Sequence, residues 1–281
     1  MTKDPVEAVK WFRMAAEQGY AEAQYALGQA YHDAPGGVRK DAVEAVKWFR
    51  KAAEQGNAKA QSNLGACYAE GEGVTRDPAE AVNWYRKAAE QGYEAAQYNL
   101  GECYRKGEGV TKDPAEAVNW YRKAAEQGDA GAQCNLGECY ATGEGVTKDP
   151  AEAAKWYRKA AEQGLAQAQL NLGECYRNGE GVDRDASEAV NLYRKAAAQG
   201  HAGGQCNLGL CYCRGVGVTN DYVEAYKWLS LASAQGDEFA KRNKSFLAQH
   251  MTPEQIAKGA RLAREFKPSS APKSVTSAPA R

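Results

Sequence analysis

Read only as apolar and polar positions, the chain repeats one phrase: an acidic opening, apolar residues three and four apart, then glycine. In DPAEAVNWYRKAAEQG, starting at Asp113, Ala117, Tyr121, Ala124 and Ala125 fall on one helical face. Asp113 is a favoured N-cap, Pro114 suits the first helical position, and Glu116 stands where a side chain can reach back to the cap's backbone N–H. Gly128 then sits where a left-handed C-cap is wanted. A second helix is predicted from about Ala95 to Lys106, with Leu100, Cys103 and Tyr104 on one stripe and Gly107 ending it. Gly101 and Ala88 are small enough to let the two helices approach closely.

The phrase recurs. Variants begin at Asp4, Asp41, Asp77, Asp149, Asp185 and Asp221, at steps of 36 residues and once 37, each opening Asp-x-x-Glu. Trp48, Trp84, Trp120, Trp156 and Trp228 keep the step, and Leu192 alone replaces a tryptophan. The second helix carries its own column, Asn-Leu-Gly-x-Cys-Tyr, which puts Asn63, Asn99, Asn135, Asn171 and Asn207 in register. Repetition at this period is the signature of a stacked array, in which each unit buries its apolar face only against its neighbours.

Between the helices lies GEGVTKD, at Gly107–Asp113 and again at Gly143–Asp149. Two glycines followed by a lysine invite comparison with a phosphate cradle. Such a cradle needs a strand leading in, a longer glycine-rich span and a helix N-terminus open to the anion. Here an acidic cap already occupies that N-terminus, so the loop reads as punctuation: Gly107 stops one helix, Gly109 permits a tight turn, and Val110 packs between layers.

Composition narrows the class further. The 281 residues are 43% hydrophobic and 26% charged, too polar for a membrane protein, with no stretch approaching eighteen apolar residues. Thirty-six basic residues balance thirty-six acidic ones, so net charge names no nucleic-acid or membrane partner. From Lys241 onward there are nine Lys/Arg against two Glu, which makes the end basic and the body mildly acidic. Met1 is followed almost at once by DPVEAVKWF rather than a signal peptide, and a cytoplasmic location is expected.

These columns together resemble the Sel-1-like repeat, a relative of the tetratricopeptide repeat: an alanine, then Leu-Gly-x2-Tyr, Gly-x-Gly-Val, Asp, Ala-x2-Trp-Tyr-x-Lys-Ala-Ala and a closing glycine. The departures are an extra residue in the Asp33–Gly37 loop, the missing proline after Asp41, Asp185 and Asp221, Leu192 for tryptophan, and Gly203-Gly204, a helix-weakening pair. The resemblance implies an all-α, right-handed α-solenoid of stacked antiparallel helix pairs that presents a concave groove to a peptide or partner protein. Its expected organisation is an orphan helix over 1–19, repeats at 20–56, 57–92, 93–128, 129–164, 165–200 and 201–236, capping helices over 237–266 and a disordered tail over 267–281.

By analogy with tetratricopeptide repeats, the Asn-Leu-Gly helix lines the groove. The residues expected there are the five asparagines together with Tyr98, Glu102, Arg105, Lys106, Glu138, Glu174 and Arg177. Two roles stay open for the asparagines: an amide ladder on a peptide backbone, or bonds to the neighbouring helix that fix stacking register. The cations are placed to meet acidic groups.

Chemistry-bearing residues add little. Cys67, Cys103, Cys139, Cys175 and Cys211 share a repeat column suited to the core, whereas Cys134, Cys206 and Cys213 are candidate free thiols, the last two on the groove side. Equivalent sites on stacked helices should lie beyond the roughly 7 Å Cα separation a disulfide tolerates. The three histidines, His32, His201 and His250, are scattered, and no metal or other cofactor is expected. The alternative to a non-catalytic scaffold is the β-lactamase-like or penicillin-binding activity attributed to cysteine-rich Sel-1-like relatives. It needs an ordered Ser-x-x-Lys, and the match at Ser270–Lys273 contains Pro272 and lies in the tail. His201 and Cys206, five residues apart on one helix, diverge as a dyad. Tryptophans and tyrosines in core phase, with no basic stripe, argue against nucleic acid.

Overall fold

A computed structural model describes residues 5–269; the first predicted cap, Asp4, and the Ser270–Lys273 match lie outside them. Among the described residues the chain is all helical, and its helices fall into two units that meet between Asp129 and Ala130. The first holds α1 (Pro5–Glu17), α2 (Ala21–Asp33), α3 (Ala42–Glu54), α4 (Ala58–Glu70), α5 (Pro78–Glu90), α6 (Glu94–Lys106) and α7 (Pro114–Gln127). The second holds α8 (Ala130–Thr142), α9 (Pro150–Glu162), α10 (Ala166–Asn178), α11 (Ala186–Ala198), α12 (Ala202–Arg214), α13 (Tyr222–Ala234), α14 (Glu238–Ala248) and α15 (Pro253–Glu265). From α1 to α7 and from α8 to α14 each helix packs against the next, giving stacked antiparallel pairs: an A helix carrying the Leu-Gly column, then a B helix carrying the tryptophan column.

The predicted starts and stops are where local chemistry puts them. Asp113 Oδ1 accepts from the N–H groups of Ala115 and Glu116, both at 3.1 Å, and Pro114 occupies the first turn. The expected return bond from Glu116 to the cap does not form. Asp113 N–H donates to Tyr104 O at 2.9 Å, so that group is already satisfied, and Glu116 accepts from Asn119 instead. A reciprocal capping box occurs at α15, between Thr252 and Gln255.

Glycine acts in two ways. Gly109 adopts φ 71°, and a Cβ there would stand 2.0 Å from Pro78 O, so the loop rests directly on the first turn of the preceding B helix. Val110 fills in beside it against the core around Leu100 and Trp120. Gly101 has ordinary helical geometry, yet a Cβ would come within 2.7 Å of the Tyr121 ring. This A helix approaches its B helix at ring-on-backbone distance, which an alanine would obstruct. Gly204 is held the same way: its missing Cβ would meet Ala196 Cβ at 2.7 Å, so close packing with α11 recovers what the Gly203-Gly204 pair costs α12 in propensity.

The core crosses repeat boundaries. Trp84 on α5 packs with Ala45 and Phe49 of the preceding B helix, α3, and with Leu64 and Cys67 of its own A helix, α4. Trp120 packs likewise on the pair formed by α4 and α5 with their neighbour α6. A lysine three residues on lies over each ring: Lys87 is 3.9 Å from the Trp84 centroid, Lys123 3.7 Å from Trp120 and Lys159 3.9 Å from Trp156. Trp11 has no such neighbour and is 62% exposed, against 6% for Trp48. At the other end α15 packs on α13, with Phe266 edge-on to Trp228 at 5.3 Å.

A buried amide joins successive helices. Gln97 on α6 is 4% exposed; its Nε2 donates to Ala89 O on α5 at 3.1 Å, and its Oε1 accepts from Gln127 Nε2 at the end of α7 at 2.7 Å. Gln61 repeats this with Ala53 O and Gln91, as do Gln24, Gln169 and Gln205 with their counterparts. Replacing Gln97 by leucine keeps the volume but removes both bonds of the relay, so it should cost about 1–3 kcal/mol. Urea unfolding should show a lower midpoint; an unchanged midpoint would mean the relay contributes nothing.

Candidate partner-binding face

The sequence-predicted face lies on the A helices. Asn63, Asn99, Asn135, Asn171 and Asn207 are all half-buried there, between the buried leucine and glycine that follow and the solvent. Their surroundings differ. Asn207 Nδ2 donates to Glu174 of the preceding A helix at 2.6 Å. Asn171 accepts from Gln167 at 2.9 Å and approaches Cys134 Sγ at 3.8 Å. Asn63 hydrogen-bonds the Tyr25 side chain. Asn99 has Ala66, which offers no side-chain acceptor, at the position where Asn207 has Glu174. Asn207 and Asn63 thus each bond a side chain of the preceding A helix.

The charged residues are gathered into local clusters. Glu102 accepts from Arg105 Nη2 at 2.8 Å, pairs with Lys106 Nζ at 3.0 Å, and receives a short hydrogen bond from Tyr121 OH. Burial opposes ionisation of Glu102, but hydrogen bonds from Arg105, Tyr121 and Lys106 outweigh it and hold the carboxyl at about 2. Glu174 likewise binds Arg177, while Glu138 is exposed. Tyr98 is half-buried with its ring 6.0 Å from that of Tyr121. Arg105 and Arg177 are therefore each oriented by a glutamate of their own helix, and the exposed Lys106 shares Glu102 with Arg105.

All eight cysteines are free thiols. Cys134 and Cys206, expected as candidate thiols, are 4% and 5% exposed, and burial pushes both up to about 12, so neither is a thiolate at neutral pH. Cys206 is thus a core residue rather than a groove one; Cys213 remains half-buried. His201 caps α12, its Nδ1 accepting from Gly204 N–H at 3.3 Å, and its Nε2 meets Gln167. Among the described residues no three His, Cys, Asp or Glu side chains gather as a metal would require, and no helix is long and apolar enough to cross a membrane.

What sequence reasoning missed is the glutamine column one residue away from the groove set. Glutamine in a helix reads as surface, and only its recurrence at the period of the core columns could have flagged it as buried.

The geometry defines a class: an all-α solenoid of helix hairpins in which the A helices display a variable polar face. The Sel1 repeat family model matches residues 1–20, 21–57, 58–93, 94–129, 130–165, 166–201 and 202–237, and the chain belongs to that family. Among solved structures it is similar to c5321, a protective antigen of uropathogenic Escherichia coli strains displaying an SLR fold, at 40% identity and a TM-score of 0.82. That match covers 92% of this chain and 56% of the antigen, so the chain spans little more than half of that relative. It is also similar to a Sel1 repeat protein from Oxalobacter formigenes, at 36% identity and a TM-score of 0.71, over 83% of this chain and 97% of that one. No curated protein matches. Solenoids of this family are typical protein-interaction scaffolds.

The Glu102 cluster yields a pH test. Its folded carboxyl at about 2 lies below the ordinary 4.5, so its stabilisation is complete above about 4.5 and is lost as pH falls through 2. Glu102→Gln should lower stability at pH 7 by about 1–2 kcal/mol, discounted because Arg105 and Lys106 are partly exposed. The gap between variant and wild type should close between pH 4.5 and 2, measured by urea midpoints at stepped pH; a gap independent of pH would contradict the pairing.

Proposed function

We propose that the protein is a non-catalytic scaffold that binds a peptide or a partner's surface along its A helices. The observation that carries this is where the repeats differ from one another. Columns that build the stack are nearly constant: the buried glutamine, the Leu-Gly pair, the aromatic facing that glycine and the capping aspartate. B-helix outer positions also change little, with Arg50, Arg86, Arg122, Arg158 and Arg194 in one column. On the A helices the column three after the asparagine runs Ala66, Glu102, Glu138, Glu174, Leu210. The column six after it runs Ala69, Arg105, Ala141, Arg177, Cys213; the one before it also varies, but Ser62, Cys134 and Cys206 are buried, which leaves Tyr98 and Leu170 on the face.

Packing explains constancy; it leaves this variation to another cause, and a surface that reads a non-repetitive partner supplies one. Asn99, whose neighbour offers no acceptor, has amide groups to give a peptide backbone, and Tyr98, Arg105 and Lys106 add an aromatic and cationic side chains on the same helix, as Arg177 does on α10. Eight free thiols suit a reducing compartment such as the cytoplasm.

The test is a photo-crosslinking scan in cells. A photoreactive residue at Lys106 or Asn99 should capture a discrete partner, while the same residue at Lys123, on the outer side of a B helix, should not. Lys106→Glu should reduce capture at Asn99 at least about fivefold, the scale of one interfacial charge pair. Capture at Lys123 equal to that at Lys106 would move the interface off the A helices.

A further inference from the structure

Leu192 is the one B-helix position in the internal array where the tryptophan column is broken, and the structure shows what the exchange leaves behind. In four other repeats an indole lies beneath a lysine three residues on, at Trp48, Trp84, Trp120 and Trp156. Leucine is too small to fill that place. Beside Leu192 lies an open cavity of about 180 Å³ whose walls are Leu172 and Ala161 with Tyr176, and whose rim carries Arg158, Glu188 and Lys195. Cavities of about 150 Å³ admit a benzene ring, so the space is of aromatic size.

The fittings for an indole remain in place although the indole is gone. Lys195 stands three residues after Leu192, as Lys87 and Lys159 stand after Trp84 and Trp156, where they cover the ring face at 3.9 Å. Glu188 stands four residues before it, as Glu44 and Glu224 do before Trp48 and Trp228, whose Nε1–H groups they accept at 3.0 and 2.9 Å; in the repeats of Trp84, Trp120 and Trp156 the glutamate is present but the indole N–H stays unbonded. Asn191 Nδ2 approaches one oxygen of Glu188 at 3.4 Å, as Asn83 approaches Glu80 at 3.4 Å in the Trp84 repeat, where the indole N–H is unbonded. Tyr176 is fixed as a wall by Arg158, whose Nη2 donates to its hydroxyl at 2.9 Å.

We propose that the cavity beside Leu192 is a receptor slot for a tryptophan side chain of a partner protein, completing in trans the column that the chain interrupts. The ring would lie between Leu172 and the Lys195 ammonium. Aromatic anchors of this kind, seated in a pocket and shielded by polar side chains, dominate protein interfaces. The slot rests on the scaffold reading for its biological partner but not for its chemistry.

N-acetyl-tryptophanamide is the probe, titrated into the full isotope-labelled chain and followed by NMR. Saturable shifts are expected at Leu192, Tyr176 and Lys195, with a dissociation constant on the order of 1 mM, the range of a single anchored group. N-acetyl-leucinamide should bind at least about tenfold more weakly. Leu192→Trp fills the slot from within and should abolish the shifts. Lys195→Ala, an exposed change that leaves packing intact, should weaken binding by about threefold to tenfold. Absence of saturable shifts in the wild type, equal binding of the leucine probe, or undiminished binding in Lys195→Ala would overturn the slot. Such a failure would leave the scaffold reading standing on its crosslinking scan, and failure of that scan would leave the probe result untouched.

Discussion

The stack depends on a buried carboxamide at every A helix. A side chain such as Gln97 must satisfy a donor and an acceptor out of water, and it does so by reaching backwards to a helix-end carbonyl on α5 and forwards to Gln127 at the end of α7. Leaving either half unmade costs the full desolvation of a buried polar group, so only one axial and rotational setting of three consecutive helices is comfortable. Apolar contact supplies most of the driving force but is non-directional, and alanine-rich faces would slide. The amide turns sliding surfaces into a register. Glycine then sets the distance: with Gly101 against the Tyr121 ring, the A and B helices close until backbone meets aromatic edge.

Once register and spacing are fixed by side chains that face inward, the outward positions of the A helices are released from structural duty. That release is partial for the asparagines. Asn207 and Asn63 still tie one A helix to the one before it, whereas Asn99 lies beside an alanine. A column conserved in identity along the chain thus serves register at some repeats and leaves an amide over at others, which is how a repetitive scaffold can present a non-repetitive surface.

Much of this was legible in the residues. Caps, stops and period follow from Asp, Pro and Gly chemistry acting within a few residues, and the structure returns them with only the capping-box detail changed, because Tyr104 O reaches the Asp113 N–H first. The tight-turn role of Gly109 was legible for the same reason. The glutamine relay was not, since nothing local distinguishes Gln97 from a solvent-facing helix former; its burial comes from helices before and after it in the stack. Cys206 misled in the same direction, being polar enough to place at the surface and small enough to bury. The face residues Glu102, Arg105 and Lys106 could be selected by helical phase, but their mutual pairing with Tyr121 depended on how closely α7 approaches.

Leu192 shows why such an array can carry a defect where a globular core could not. A tryptophan in the column buries its ring between the preceding B helix and its own A helix, as Trp84 does against α3 and α4, and its loss leaves the glutamine relay there, Gln199 to Gln169 at 2.9 Å, unbroken. Register survives because the amide, not the indole, sets it. The cavity that results is therefore held open by neighbours that keep their positions, rather than closed by collapse as a void in a mobile core would be. Rigidity of this kind makes a ring-sized gap a usable feature, because a ligand entering it does not have to spend binding energy on reassembling the walls.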